Sequence, residues 1–370
     1  MPKLSLLLLG VAIPLTLAGC CTSRHCEGAG QAVAKYHFRM ASVRAALEAT
    51  GQAPPQPADI LVLSGGGSHG AWGAGVLRGW RENPDSPRPR KFQVVTGVST
   101  GALLATHAFL GEPEDDALLQ EAYTNVRTKD IYCRKLLPFA LLSDSLRSSS
   151  PLRRRVARYI TQETLDRVAR VGREERRRLY AGTVNYDTGK LVIWDLTAIA
   201  MDHTNQNRLG LYRQVVLASA SIPILVPPVK IDGNLYADGG ARAQLFFESG
   251  LLPNLREVSH TNLTLYVIVN GKLGMETNCV RNCLKDLTLR TLDMLLDANG
   301  IGDLYHIKYE LDRIGFGKFR LSRIPWDFPV TSSAVFEPEA MQKLYDEGVR
   351  FGRQGKWERQ IPEVDLRPWL

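Results

Sequence analysis

Two glycine-rich turns, each set between a strand and a helix, constrain what this chain can fold into more than any other feature. Asp59-Ile60-Leu61-Val62-Leu63 is compact, apolar and β-branched, the composition of a strand covered on both faces of a parallel sheet. It breaks at Ser64-Gly65-Gly66-Gly67-Ser68-His69-Gly70, after which Ala71 to Trp80 reads as a helix. The strand Phe92 to Thr96 then runs into Gly97-Val98-Ser99-Thr100-Gly101, and Ala102 to Ala105 opens a second helix. Further on come strands at Leu179 to Val184, Ile231 to Asp238, Leu263 to Val269 and Phe319 to Ser322, with helices from Leu284 to Ile314 and Pro338 to Arg353. This order predicts an α/β chain, a three-layer α/β/α fold with a mostly parallel central sheet. The 370 residues are 44% hydrophobic and 23% charged, as in ordinary globular proteins, and no Gly/Ser or Pro-rich linker divides the middle. One domain over 58–370 is expected.

The first turn places free backbone amides at a helix N-terminus, a way of binding negative charge without a side chain. Its spacing also fits the G-x-G-x-x-G dinucleotide fingerprint. That fingerprint expects an acid about twenty residues on, whereas Arg88, Pro89, Arg90 and Lys91 precede the next strand. An NADP-binding oxidoreductase using such a basic cluster stays open.

The second turn is a nucleophile elbow, G-x-S-x-G between strand and helix. Gly97 and Gly101 remove side chains that would collide in so sharp a turn, and Ser99 is left exposed above the sheet. A serine hydroxyl needs a neighbouring base. Two solutions are available: a Ser-Asp-His triad using Ser99, Asp238 and either His260 or His306, or a Ser99-Asp238 dyad with no histidine. Asp238 ends a short strand in Asp238-Gly239-Gly240, whose glycines permit a tight turn at the sheet edge.

The ordered trio Gly65-Gly66-Gly67-Ser68-His69-Gly70, Gly97-Val98-Ser99-Thr100-Gly101 and Asp238-Gly239-Gly240 resembles the signature motifs of patatin-like phospholipases. The segment Ala218-Ser219-Ala220-Ser221-Ile222-Pro223 resembles the one that precedes the base in that family, so the similarity spans about Asp59 to Gly240. The resemblance implies a lipid acyl hydrolase with Ser99 as nucleophile and Asp238 as base. It further implies an oxyanion loop over Gly65, Gly66, Gly67, Ser68 and Gly70, and needs no cofactor or metal. Many members carry Arg or Lys where His69 stands, which implies less fixed positive charge in this loop. A catalytically inactive lipoprotein that binds lipid is the remaining alternative.

The N-terminus supplies independent evidence. Lys3, an apolar run from Leu4 to Leu17 and the small residues Ala18 and Gly19 read as a signal segment over 1–19. Leu17-Ala18-Gly19-Cys20 resembles a bacterial lipobox, so Cys20 is expected to carry the lipid that anchors the protein in the cell envelope, facing the periplasm or exterior. Residues 20–57 then form a tether with a helix around Ala32 to Ala49. With Cys20 lipidated, five cysteines remain, and Cys279 and Cys283 are the plausible local pair. A zinc site there lacks further ligands.

The formal net charge of +8 is concentrated between Arg153 and Arg178, where ten arginines face four acids. Val156, Ile160, Val168 and Val171 recur at helical spacing, and Glu163-Arg167, Asp166-Arg170 and Glu174-Arg178 stand four residues apart, predicting solvated amphipathic helices. A basic surface toward anionic headgroups is the sharper reading. No nucleic-acid motif accompanies the arginines, and no protein partner is indicated. These helices belong to an insertion at about 111–178, which also holds the apolar run Leu136 to Leu142 and is a candidate cap over the site.

Overall fold

The computed structural model describes residues 31–38, 56–134, 147–251, 258–313 and 317–363, apart from 86, 90 and 278. In chain order the first half comprises β1 (Gln56–Leu63), α1 (Gly70–Arg81), β2 (Val94–Val98), α2 (Thr100–Leu110), α3 (Pro113–Thr124), α4 (Thr128–Ile131), the short β3 (Cys133–Arg134) and β4 (Arg147–Ser148), α5 (Ser150–Tyr159) and α6 (Gln162–Glu174). The second half comprises β5 (Arg178–Asn185), β6 (Lys190–Asp195), α7 (Leu196–Met201), α8 (Arg208–Ser219), β7 (Val229–Ile231), β8 (Asn234–Asp238), β9 (Val258–Ile268), α9 (Leu284–Arg313), β10 (Lys318–Ser322) and α10 (Pro338–Gln354).

The central sheet runs β10-β9-β1-β2-β5-β8-β7, with β6 also pairing β5. The first five strands of that path are parallel, and the antiparallel pairs are confined to β5 with β6, β5 with β8, and β8 with β7. Side chains alternate across β1, so Leu61 and Leu63 join one buried cluster while Ile60 and Val62 join another. The first cluster packs under α1, α2 and α10; the second packs under Leu304, Ile307 and Leu311 of α9. This is the three-layer α/β/α arrangement read from the sequence.

One register detail positions the site. Val98, the last residue of β2, lies opposite Gly182 of β5, and Asp238, the last residue of β8, lies opposite Thr183. Parallel β2 and antiparallel β8 therefore end at neighbouring positions of one strand. The residue after β2 and the last residue of β8 are delivered to the same place. Asp238 is buried inside the sheet, not at its edge, which is β7.

Three sequence expectations are corrected. The helix expected over 32–49 is, where described, a single 3-10 turn at Ala34–Tyr36 followed by extended His37. His37 instead bridges Trp194, and the Phe38 amide donates to the Ile193 carbonyl at 2.8 Å, so pairing with β6 overrides helical propensity. The arginine-rich stretch does form two helices, α5 and α6, with Val156, Ile160 and Val168 buried. Its ion pairs nevertheless run between elements and not along the helices: Arg167 forks onto Asp115 at 2.6 and 3.1 Å, Asp166 takes Arg208 at 2.7 Å, and Arg178 faces Asp195 at 3.8 Å. Buried bidentate geometry on Asp115 outcompetes a solvated four-residue step. Arg153, Arg154, Arg158, Arg170, Arg173 and Arg176 remain exposed. Finally, Cys279 and Cys283 are free, exposed thiols.

The signal segment, Cys20 and the apolar run Leu136 to Leu142 lie outside the described residues. Among the described residues, no helix is long and apolar enough to cross a membrane.

Candidate active site

Ser99 sits between β2 and α2 with φ 54° and ψ −123°, a conformation that β-carbon sterics ordinarily forbid. Its surroundings hold it there. The Ser99 amide donates to Ser219 Oγ at 2.9 Å, and Ser219 Oγ in turn donates to the Gly182 carbonyl at 2.7 Å. A β-carbon on Gly97 would collide with the Gly101 carbonyl, and one on Gly101 with that of Leu63, which is why both flanking positions are glycine. Ser219 lies in the segment quoted for its family likeness; its positioning role was not legible without the fold.

Ser99 Oγ donates to Asp238 Oδ2 at 2.6 Å, and both residues are buried. The other carboxylate oxygen, Oδ1, accepts the Gly240 amide at 2.8 Å, and the Asp238 amide donates to the Ser221 carbonyl at 2.9 Å. Burial pushes the Asp238 carboxyl up to about 7, against the lowering hydrogen bonds from Ser99 and Gly240. Gly239 and Gly240 make the turn that aims it.

Among the described residues, no histidine hydrogen-bonds this pair. His306 Nε2 meets Glu248 Oε1 at 3.1 Å on the surface. His260 lies in the first part of β9, between the residues that pair with Gln56 and Ala58 of β1, five to seven residues from the end of β1 at Leu63 and so roughly 17 to 23 Å from the end where the site lies. His107 is occupied by Asp115, its Nδ1 lying 2.9 Å from Oδ1. Among the described residues the carboxylate of Asp238, and no imidazole, meets Ser99 Oγ.

The glycine loop follows β1 and lies directly against the elbow: a β-carbon built on Gly65 would stand 3.3 Å from Ser99 Cβ. Of the five residues assigned to it, three have their amides committed. Gly65 donates to the Gln244 carbonyl at 3.1 Å, Ser68 to that of Ser333 at 2.8 Å, and Gly70 to the carbonyls of Gly67 and Ser68. Gly66 and Gly67, with φ of 144° and 54°, keep amides that find no hydrogen-bond partner among the described residues. Thr100, at the first turn of α2, adds one of the orphan donors of a helix start. Asn270, just beyond β9, braces the loop, its amide donating to Ser64 Oγ at 2.7 Å and its Nδ2 to the Ser64 carbonyl at 2.8 Å.

His69 contributes no fixed charge. Burial holds its imidazole below the ordinary value, and its Nε2 lies 2.8 Å from the Thr331 carbonyl, so the neutral ring donates there. Nor is the basic cluster available to a nucleotide phosphate through Arg88, which is buried and bonded to Asp116 and to the Leu77 and Gly111 carbonyls.

Beside Ser99 opens a narrow cavity of about 80 Å³, shared by Gly67, Ser99 and Thr100 and walled by Leu103, Leu119, Tyr123, Val156, Ile160 and Phe336. Much of that wall comes from α3 and α5. The insertion thus lines the site with apolar side chains, although its most apolar run lies outside the described residues. On the other side of the glycine loop a larger cleft of about 630 Å³ carries polar walls, including Asn270, Arg290, Asp293 and Asp297.

The family model described as patatin-like phospholipase matches residues 61–250. Twelve chains of solved structures also match. One is VipD from Legionella pneumophila, 15% identical, with 80% of this chain and 67% of that chain covered at a TM-score of 0.40. No curated protein matches. With the family model spanning more than half of the chain, from β1 through the glycine loop, the elbow and the Asp238 turn, the chain belongs to the patatin-like phospholipases and is a lipid acyl hydrolase acting on ester bonds.

Proposed function

We propose that this protein releases fatty acid from membrane lipid esters by a Ser99-Asp238 dyad working through an acyl-enzyme. The observation that carries the reading is the buried 2.6 Å hydrogen bond from Ser99 Oγ to Asp238 Oδ2 at the mouth of an apolar cavity. Asp238 takes the Ser99 proton as the oxygen attacks the ester carbonyl. The tetrahedral oxyanion then faces the amides of Gly66 and Gly67, which find no partner among the described residues, each such donor contributing about 3 to 4 kcal/mol in comparable enzymes. Collapse expels the alcohol, which takes the proton from Asp238. Water, deprotonated by the same carboxylate, attacks the acyl-serine and frees the fatty acid and Ser99.

A fluorophosphonate ester probe should label the wild-type chain and the His260→Ala and His306→Ala variants, and leave Ser99→Ala unlabelled. Loss of labelling and esterase turnover in either histidine variant would replace the dyad with a triad.

The cavity suits an acyl chain, its floor lying between α2, α3 and α5. Narrowing it with Leu103→Trp or Val156→Trp should lower turnover of a sixteen-carbon ester by roughly tenfold or more, about the discrimination a few methylenes give in an apolar pocket, and spare a four-carbon ester. An equal fall on both substrates would remove the cavity from the reaction.

Lipidation of Cys20 and an envelope location belong to the same reading, supported by Leu17-Ala18-Gly19-Cys20. Metabolic labelling with an alkynyl fatty acid should mark the wild-type protein and not Cys20→Ala; equal labelling would place the anchor elsewhere.

A further inference from the structure

The helix α9 is apolar on two opposite sides. Its inner side packs Leu304, Ile307 and Leu311 under the sheet. Its outer side shows Leu284 at 85% exposure, Leu295 at 59% and Tyr309 at 63%, with Leu287, Met294 and Tyr305 also exposed. At 100° per residue these six positions fall within about 100° of arc, a single stripe about 37 Å long. The exposed positions within that arc are Thr291, Ala298 and Gly302, so no charge interrupts it; His306, also exposed, lies about 20° beyond its edge and meets Glu248. A helix that merely covered a sheet would carry its charges on this side.

We infer that the outer face of α9 is the surface on which the protein lies on a lipid bilayer. The inference rests on the lipid substrate proposed above. Area decides against a second copy: a stripe of this length and about 10 Å width offers roughly 400 Å², half of the ~800 Å² per partner of a stable protein interface. A bilayer needs no complementary partner surface. The stripe also ends in tyrosines, whose rings suit the headgroup level.

The flank of α9 between the stripe and the inner side grips the active site. Asn299 Nδ2 donates to the Gly240 carbonyl at 3.1 Å, and Asp303 Oδ2 accepts the amides of Gln244 and Leu245 at 2.6 and 3.1 Å. Asp293, Leu296 and Asp297 wall the polar cleft whose other side is Gly65 and Gly66. A surface-bound α9 thus sets the cleft beside the lipid, and the same helix holds the turn that aims Asp238.

The test uses full-length chains with and without Leu284→Ser, Leu287→Ser and Leu295→Ser. In the Ser99→Ala background, partition into phosphatidylethanolamine/phosphatidylglycerol vesicles should fall at least tenfold; the N-terminal segment is common to both chains, so their ratio isolates the stripe. In the active background, hydrolysis of vesicle phospholipid should fall at least tenfold while turnover of a soluble butyrate ester stays within twofold. Unchanged partition overturns the inference. So does a wild-type dimer in sedimentation velocity that the serine variant dissociates, which would assign the stripe to a second copy. If the wild type cleaves the butyrate ester but no phospholipid, the proposed substrate fails, and the partition ratio alone sustains or overturns the docking.

Discussion

Asp238→Asn is expected to lower kcat/KM for a soluble ester by about 10⁴ to 10⁶-fold, the range seen when a nucleophile loses its base in other serine hydrolases. The substitution keeps the shape of the side chain and removes its ability to take the Ser99 proton. In the wild type the base must be ionised, so activity should rise tenfold per pH unit up to about 7, where burial has placed this carboxyl, and level off above it. The residual activity of the Asn variant should lack that step. A wild-type profile flat from pH 5 to 8 would mean that Asp238 is not the base.

The same carboxyl makes an opposite prediction for stability. Its folded-state value lies above its ordinary value of 3.8, so the folded protein holds the proton more tightly than the unfolded chain. The associated stability is fully present below pH 3.8 and is lost as pH rises to about 7, by about 4 kcal/mol. Asn carries no such cost. The inactive variant should melt higher than wild type at pH 8 and close to it at pH 4.

Asp116→Ala is expected to destabilise the fold by about 3 to 5 kcal/mol, the cost of stranding a buried charge. Asp116 opens α3 and is fully buried; it accepts from Arg81 Nε and from Arg88 Nη1, the latter at 3.0 Å. The Arg88 side chain is 2% exposed, and among the described residues its remaining bonds reach only the Leu77 and Gly111 carbonyls, at 3.3 and 3.4 Å. Without Asp116 its guanidinium stays buried and uncompensated. Since a domain holds only about 5 to 15 kcal/mol in all, urea unfolding should register a large fall in midpoint. Arg88→Met combined with Asp116→Leu should recover much of the loss, because two apolar side chains leave no charge behind. A midpoint unchanged in Asp116→Ala would show that Asp116 does not anchor α3 to Arg81 of α1 and to Arg88.

The parts of this site legible in the sequence are those written in local backbone chemistry. A strand that breaks in Gly65-Gly66-Gly67, one that breaks at Ser99 between Gly97 and Gly101, and one that stops at Asp238-Gly239-Gly240 announce turns whose geometry only glycine-rich sequences adopt. Periodicity likewise marked most strands and the helices over the arginine-rich insertion. Where local signals competed with distant partners, they lost: His37 went to Trp194 and Arg167 to Asp115.

What the tertiary structure decided is which of the announced groups meet. Ser99 and Asp238 stand 139 residues apart in the chain, and their meeting turned on the register of β5, where β2 ends at Gly182 and β8 arrives at Thr183. The distribution of free amides was decided there too, because Gly65 and Ser68 lose theirs to Gln244 and Ser333, residues whose approach no local pattern encodes. Local sequence determined the shape of each turn, since φ and ψ depend on a residue and its neighbours. Strand order and register, which depend on burying both faces of one sheet at once, determined that three such turns share a single site.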